Sequence, residues 1–150
     1  MINPRVGSFV ITSPASINYN CIAWAAGCTS RWWWPHADSY WPSGVPAEET
    51  IEAFVKVYAT VGYERCDNSE LDETYEKIAI YAIEGRPTHA ARQLEDGRWT
   101  SKLGEGEDII HESLEALDCE MYGSAVSYLR RVKRAKYKDK RPNNLAGKRS

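Results

Sequence analysis

The chain has 150 residues, 43% hydrophobic and 27% charged, with a net charge of −2, a balance that fits one globular domain with a real core and excludes a fibrous or wholly disordered chain. No apolar run is long enough to span a bilayer, and the start, MINPRVGSFVITSPAS, lacks the charged-then-apolar layout of a secretory signal, so the expected setting is the cytoplasm. The four cysteines, Cys21, Cys28, Cys66 and Cys119, are scattered, which suits free thiols in a reducing compartment better than a disulfide framework.

Taken in chain order, the sequence opens with a short apolar run, SFVI, and a loop containing Pro14. Asn18 and Asn20 can each cap the short helix that Ile22, Ala23, Ala25 and Ala26 continue, and Gly27 stops it. SRWWWPHADSYWPSGVP holds three prolines and little periodicity, so it reads as loop. In PAEETIEAFVKVYATVG, Pro46 stands at a helix start, Glu48 and Glu49 fall in the first turn, and Ile51, Phe54, Val55 and Tyr58 recur at helical spacing. Three strands follow: KIAIYAI (Lys77–Ile83), THAARQLE (Thr88–Glu95) and RWTSKLG (Arg98–Gly104), the last two joined at Asp96-Gly97. GEGEDIIHESLEAL reads as helix, with Ile109, Ile110, Leu114 and Leu117 on one face, and a last helix is predicted from Met121 to about Lys136. Helices, a small antiparallel sheet, then helices describe an α+β domain. It spans residues 1–137 and leaves a basic, disordered tail over 138–150.

The net charge hides an asymmetry. Residues 1–129 carry nine basic and twenty acidic residues, and the chain from Arg130 onward carries ten basic residues against the single acid Asp139. Such a tail is a candidate contact for nucleic acid, for an acidic partner or for the acidic body itself.

The chemistry concentrates at NYNCIAWAAG. A cysteine at a helix N-terminus lies against free backbone N–H groups and the positive end of the dipole, both of which favour a thiolate. With an imidazole in reach, the thiolate attacks a carbonyl carbon, the imidazolium protonates the leaving amine, and the same N–H groups hold the oxyanion. Cys21 is the candidate nucleophile. His89, near the start of a strand, is the candidate general base, a ring nitrogen expected within about 4 Å of the sulfur. Asn18 and Asn20 are candidate oxyanion donors, and Trp24 and Trp34 candidate substrate contacts. A two-residue hairpin loop would set Thr100 and Lys102 on the face of His89; a three-residue loop would set Ser101 there. Ser101 or, alternatively, His111 would then orient the imidazole.

NCIAWA followed by HAARQLEDGRWTSKLG resembles the papain-like cysteine hydrolases. They carry a cysteine on a helix, then a strand histidine followed by alanine, a hairpin, and Asn-Ser-Trp-Gly. Ser101 stands where that family has its orienting asparagine. The short chain is similar in size to the compact amidases and endopeptidases of bacteria and phages. The resemblance implies a papain-like α+β fold with the cysteine helix packed on a small antiparallel sheet. It also implies hydrolysis of an amide or peptide bond, or deamidation of glutamine, with no cofactor and a peptide or protein as substrate. The alternative is a catalytically inactive relative that binds a protein or nucleic acid through the aromatic loop 32–41 and the tail. Those aromatics can equally close a small core. Cys28, Cys66 and Cys119 read as packing residues, and Cys21, Cys28, His36 and Cys66 match no common zinc spacing.

Overall fold

A computed structural model of the chain describes residues 9–103 and 106–133. The basic tail over 138–150 lies outside these residues, so its expected contacts and disorder do too. Seven strands form one antiparallel sheet: β1 (Phe9–Ser13), β2 (Glu64–Cys66), β3 (Tyr75–Ile83), β4 (Arg86–Gln93), β5 (Trp99–Lys102), β6 (Asp108–His111) and β7 (Ser124–Val132), in the order β1-β6-β5-β4-β3-β7-β2. Among the described residues two helices, α1 (Cys21–Ala25) and α2 (Ile51–Ala59), accompany it, with a single 3-10 turn at Leu114–Leu117.

This corrects the predicted α+β, papain-like architecture. The fold is mostly β, with helices of five and nine residues only among the described residues; of the two helices expected at the C-terminal end, the first is strand β6 followed by the 3-10 turn and the second is strand β7 over Ser124–Val132. DIIH pairs with β5 on one side and β1 on the other, and its residues alternate: Ile109 enters the core beside Ser101 while Ile110 faces away. In SAVSYLRRV the i, i+3, i+6 spacing of Val126, Leu129 and Val132 imitates a helix. Only Leu129 is buried; Val126 and Val132 are more than half exposed. The register with β3 shifts between Ile80 and Tyr81, passing from Ser127 to Ala125. Such a bulge at Val126 breaks the two-residue period by which a strand is recognised.

Both helices owe their starts to side-chain caps. Asn20 Oδ1 accepts the Ala23 N–H at 3.2 Å and opens α1 at Cys21; Thr50 Oγ1 accepts the Ala53 N–H at 3.1 Å. The start of α2 is therefore Thr50, four residues beyond Pro46, and its first-turn acid is Glu52. The helices cover one face of the sheet, where Ile22, Phe54, Val57 and Tyr58 pack on Ile78, Ile80, Ala90 and Leu129. The aromatic loop closes this core from the side: Trp33 is buried, and Trp34 and Trp41 meet the Phe54 ring edge-on at 5.3 and 5.2 Å. On the far face Ala79, Tyr81, Ala91, Trp99 and Ile109 pack under Leu114, Leu117 and Tyr122. No helix among the described residues is long and apolar enough to cross a membrane.

Candidate active site

The hairpin after β4 decides which side chains share a face. Leu94 N–H donates to the Arg98 carbonyl at 2.7 Å and Gly97 N–H to the Leu94 carbonyl at 3.0 Å, so the loop holds three residues. Arg92 then pairs with Thr100 and Gln93 with Trp99. By strand alternation, Ser101 falls on the face of His89, whereas Thr100 and Lys102 fall on the helix side. There Trp24 Nε1–H donates to Thr100 Oγ1 at 3.0 Å, and the Thr100 hydroxyl donates to the Ile109 carbonyl at 2.9 Å.

Pairing between β4 and β5 stops at Arg92, although both strands continue. The Ala90 N–H is among the groups that the sulfur of Cys21 draws on. With the N–H groups of Cys21 and Ile22, it favours the thiolate, and the nearby Lys102 ammonium acts in the same direction. The amide N–H beside the sulfur thus belongs to the His89–Ala90 peptide. Burial outweighs these donors. Cys21 is 7% exposed and its thiol is pushed up to about 11.

His89 has no exposed surface, and neither Nδ1 nor Nε2 has a hydrogen-bond partner. The sulfur and this imidazole make no hydrogen bond: Cys21 belongs to the helix-side core, whereas His89, opposite Tyr81, turns to the far face, and both groups stand neutral. Burial first, and the neighbouring His111 second, push the His89 imidazole down to about 3. Tyr122 stacks on the ring at 4.4 Å between centroids, and Tyr81 meets it edge-on at 5.2 Å.

Ser101 and His111 are held together, but not to His89. Ser101 Oγ and His111 Nε2 lie 2.8 Å apart, and His111 Nδ1 lies 2.8 Å from the Ser113 carbonyl. A carbonyl only accepts, so Nδ1 carries the proton and Nε2 accepts from the Ser101 hydroxyl. Burial lowers the His111 pKa, partly offset by that carbonyl.

The remaining expected residues have other duties. Asn20 is the cap, and its amide also ties the aromatic loop down, accepting Trp33 N–H at 3.0 Å and donating to the Trp33 carbonyl at 2.9 Å. Asn18 is exposed, its backbone N–H on Ser16 Oγ at 3.1 Å. Trp24 stacks on Tyr19 at 5.6 Å, and Trp34 packs on Phe54. All four cysteines are free thiols. Cys28 is half-buried, and hydrogen bonding from Ser30, against some burial, draws its thiol below the usual range. Among the described residues no group of three or more His, Cys, Asp or Glu side chains gathers as a metal site.

Sequence reasoning missed two neighbours, the Ala90 N–H beside the sulfur and Tyr122 on the imidazole, and it named Lys102 only beside His89, for a two-residue loop, whereas the three-residue loop turns it toward Cys21. Tyr122 lies on a turn closed by Cys119 and Gly123, which exchange N–H···O bonds of 3.3 and 2.7 Å. The YG dipeptide was the available turn signal.

No curated protein and no solved structure matches the chain. Residues 10–130 match a family model described as a domain of unknown function, DUF7689, and the chain belongs to that family.

Proposed function

We propose that this protein is a cysteine hydrolase that cleaves an amide or peptide bond, with Cys21 as nucleophile and His89 as general base and then acid. The observation that carries the reading is the surroundings of one sulfur. It sits on the first residue of an Asn-capped helix, beside backbone N–H groups of which one belongs to the residue after His89. Sulfur and imidazole make no hydrogen bond at rest, so the thiol proton would pass to a His89 ring nitrogen only as the two close on the substrate and the sulfur attacks the carbonyl carbon. The backbone N–H groups would hold the oxyanion, and His89 would return the proton to the leaving amine. Water then releases the acid and regenerates the thiol. The resemblance to papain-like hydrolases at NCIAWA and HAARQ supports the same roles, with a peptide, protein or glutamine side chain as substrate.

One observation favours the second reading, an inactive binding protein: the pair is closed and neutral, with Cys21 at 7% exposure and His89 at none. An electrophilic peptide-amide probe followed by mass mapping separates the two. A hydrolase acquires the label on Cys21, and His89→Ala removes most of it. A plain alkylating agent is a poor substitute, because Cys28 is the more exposed and more acidic thiol. Label confined to Cys28, Cys66 or Cys119 overturns the hydrolase reading.

A further inference from the structure

His89 poses a mechanical question. A general base needs a fixed ring, and hydrogen bonds usually fix it; here neither nitrogen has one. Ser101 and His111 are committed to each other and to the Ser113 carbonyl. What holds the imidazole is aromatic. Tyr81 belongs to an interior strand, is wholly buried, and donates its hydroxyl to the Leu114 carbonyl. Tyr122 comes from the short turn between the 3-10 segment and β7, and its ring lies over the imidazole with an interplanar angle of 24°. Thr88, the residue before His89, donates its hydroxyl to the Tyr122 carbonyl, so the turn is latched to the strand it covers.

We propose that Tyr122 is the positioning residue of His89, holding the imidazole by stacking and shielding it from water in place of a hydrogen-bonded third member. The proposal deepens the hydrolase reading and rests on it for its catalytic meaning. Stacked rings at this separation are a favoured aromatic arrangement. An aromatic cover also differs from a hydrogen-bonded partner in one respect: it engages neither ring nitrogen, so either can be the basic one.

The test is the imidazole NMR spectrum of His89 against pH in the full chain and in Tyr122→Phe, Tyr122→Leu and Tyr122→Ser. The titratable groups around the ring are Tyr81, Tyr122 and His111, and only Tyr122 changes. In the native protein and in Tyr122→Phe, the ring protons are expected upfield, under the stacked ring, with no titration above pH 5. Tyr122→Leu keeps the apolar cover, loses the upfield shift, and serves if Tyr122→Ser fails to fold. Tyr122→Ser raises the titration midpoint by at least one unit. His111 resonances, held by Ser101 and Ser113, stay in place as the fold control. Probe labelling of Cys21 is expected near native in Tyr122→Phe, and at least tenfold slower with a displaced pH profile in Tyr122→Leu and Tyr122→Ser. Unchanged ring shifts and an unchanged labelling profile in Tyr122→Leu overturn the proposal. Absence of Cys21 label in the native protein overturns the hydrolase reading instead, and the NMR arm reports on the stacking by itself.

Discussion

Two buried histidines, on neighbouring parts of one sheet face, live under opposite rules. His111, at the end of β6, is hydrogen-bonded at both nitrogens, to Ser101 and to the Ser113 carbonyl. His89, inside β4, is bonded at neither and touches aromatic rings. A satisfied buried polar group stabilises a fold and specifies its register. An unsatisfied one costs about 1–3 kcal/mol and persists where something other than stability keeps it. The contrast marks His111 as structure and leaves His89 as the group that the proposed hydrolase reading employs.

The largest expected effect follows from the His89 pKa. The folded imidazole titrates near 3 and an unfolded one near 6.5. Below pH 6.5 the unfolded chain therefore binds a proton that the folded chain refuses, and stability falls by about 1.4 kcal/mol per pH unit down to about pH 3. His111 shifts in the same direction, with its carbonyl partner working against it. Chemical unfolding at pH 7, 6, 5 and 4 should show this slope in the native protein. His89→Phe should flatten it more than His111→Phe does. Equal flattening by both variants breaks the comparison.

That contrast was only half legible in the sequence. His89 and Cys21 stood out through local signals: asparagines before a short alanine-rich helix, and a histidine on a strand leading into an Asp-Gly turn. Strands β3, β4 and β5 were legible for the same reason, since alternation and turn chemistry are local. The partners were not. Ser101 meets His111 because β5 pairs with β6 through Ser101 and Ile109, Trp99 and His111, and DIIH imitates one helical turn. Tyr122 meets His89 through a turn some thirty residues away, joined by Thr88 (|i−j| = 34). Contacts of that range depend on topology, and the topology was misread where a bulge at Val126 hid β7. The aromatic loop offered a binding reading and a packing one; Trp33, Trp34 and Trp41 are engaged in the helix-side core.

A smaller effect sharpens the His89 half of the comparison through the backbone. Gly123 has φ +75°, and a Cβ there would lie 2.1 Å from the Ala82 carbonyl oxygen. Gly123→Ala must therefore displace the turn that carries Tyr122. Left-handed backbone costs an alanine about 1–2 kcal/mol, and the collision with strand backbone adds to that. Gly27, at φ +87° after α1, has no atom within 4 Å of such a Cβ, so Gly27→Ala should show the conformational cost alone. Thermal unfolding should rank Gly123→Ala well below Gly27→Ala. Only Gly123→Ala should lose the upfield shift of the His89 ring. Similar melting of the two variants would mean that the turn yields freely and cannot hold Tyr122.

The smallest effect tests the His111 half. Ser101→Ala removes the hydroxyl that His111 Nε2 accepts and leaves that nitrogen buried, since His111 has no exposed surface. The expected loss is about 1–2 kcal/mol, the lower part of the range for orphaning one buried acceptor. The Ser113 carbonyl still fixes the ring through Nδ1 at 2.8 Å, so His111 should keep its tautomer and its place. His89 shares no hydrogen bond with Ser101, so its ring shifts, its titration and the rate of Cys21 labelling should stay within about twofold of native. That separation of stability from reactivity is the sharp outcome, because a serine in the role of orienting asparagine would do the reverse. A labelling rate that falls tenfold in Ser101→Ala, with the melting temperature nearly unchanged, would make Ser101 the third member and leave Tyr122 as cover alone.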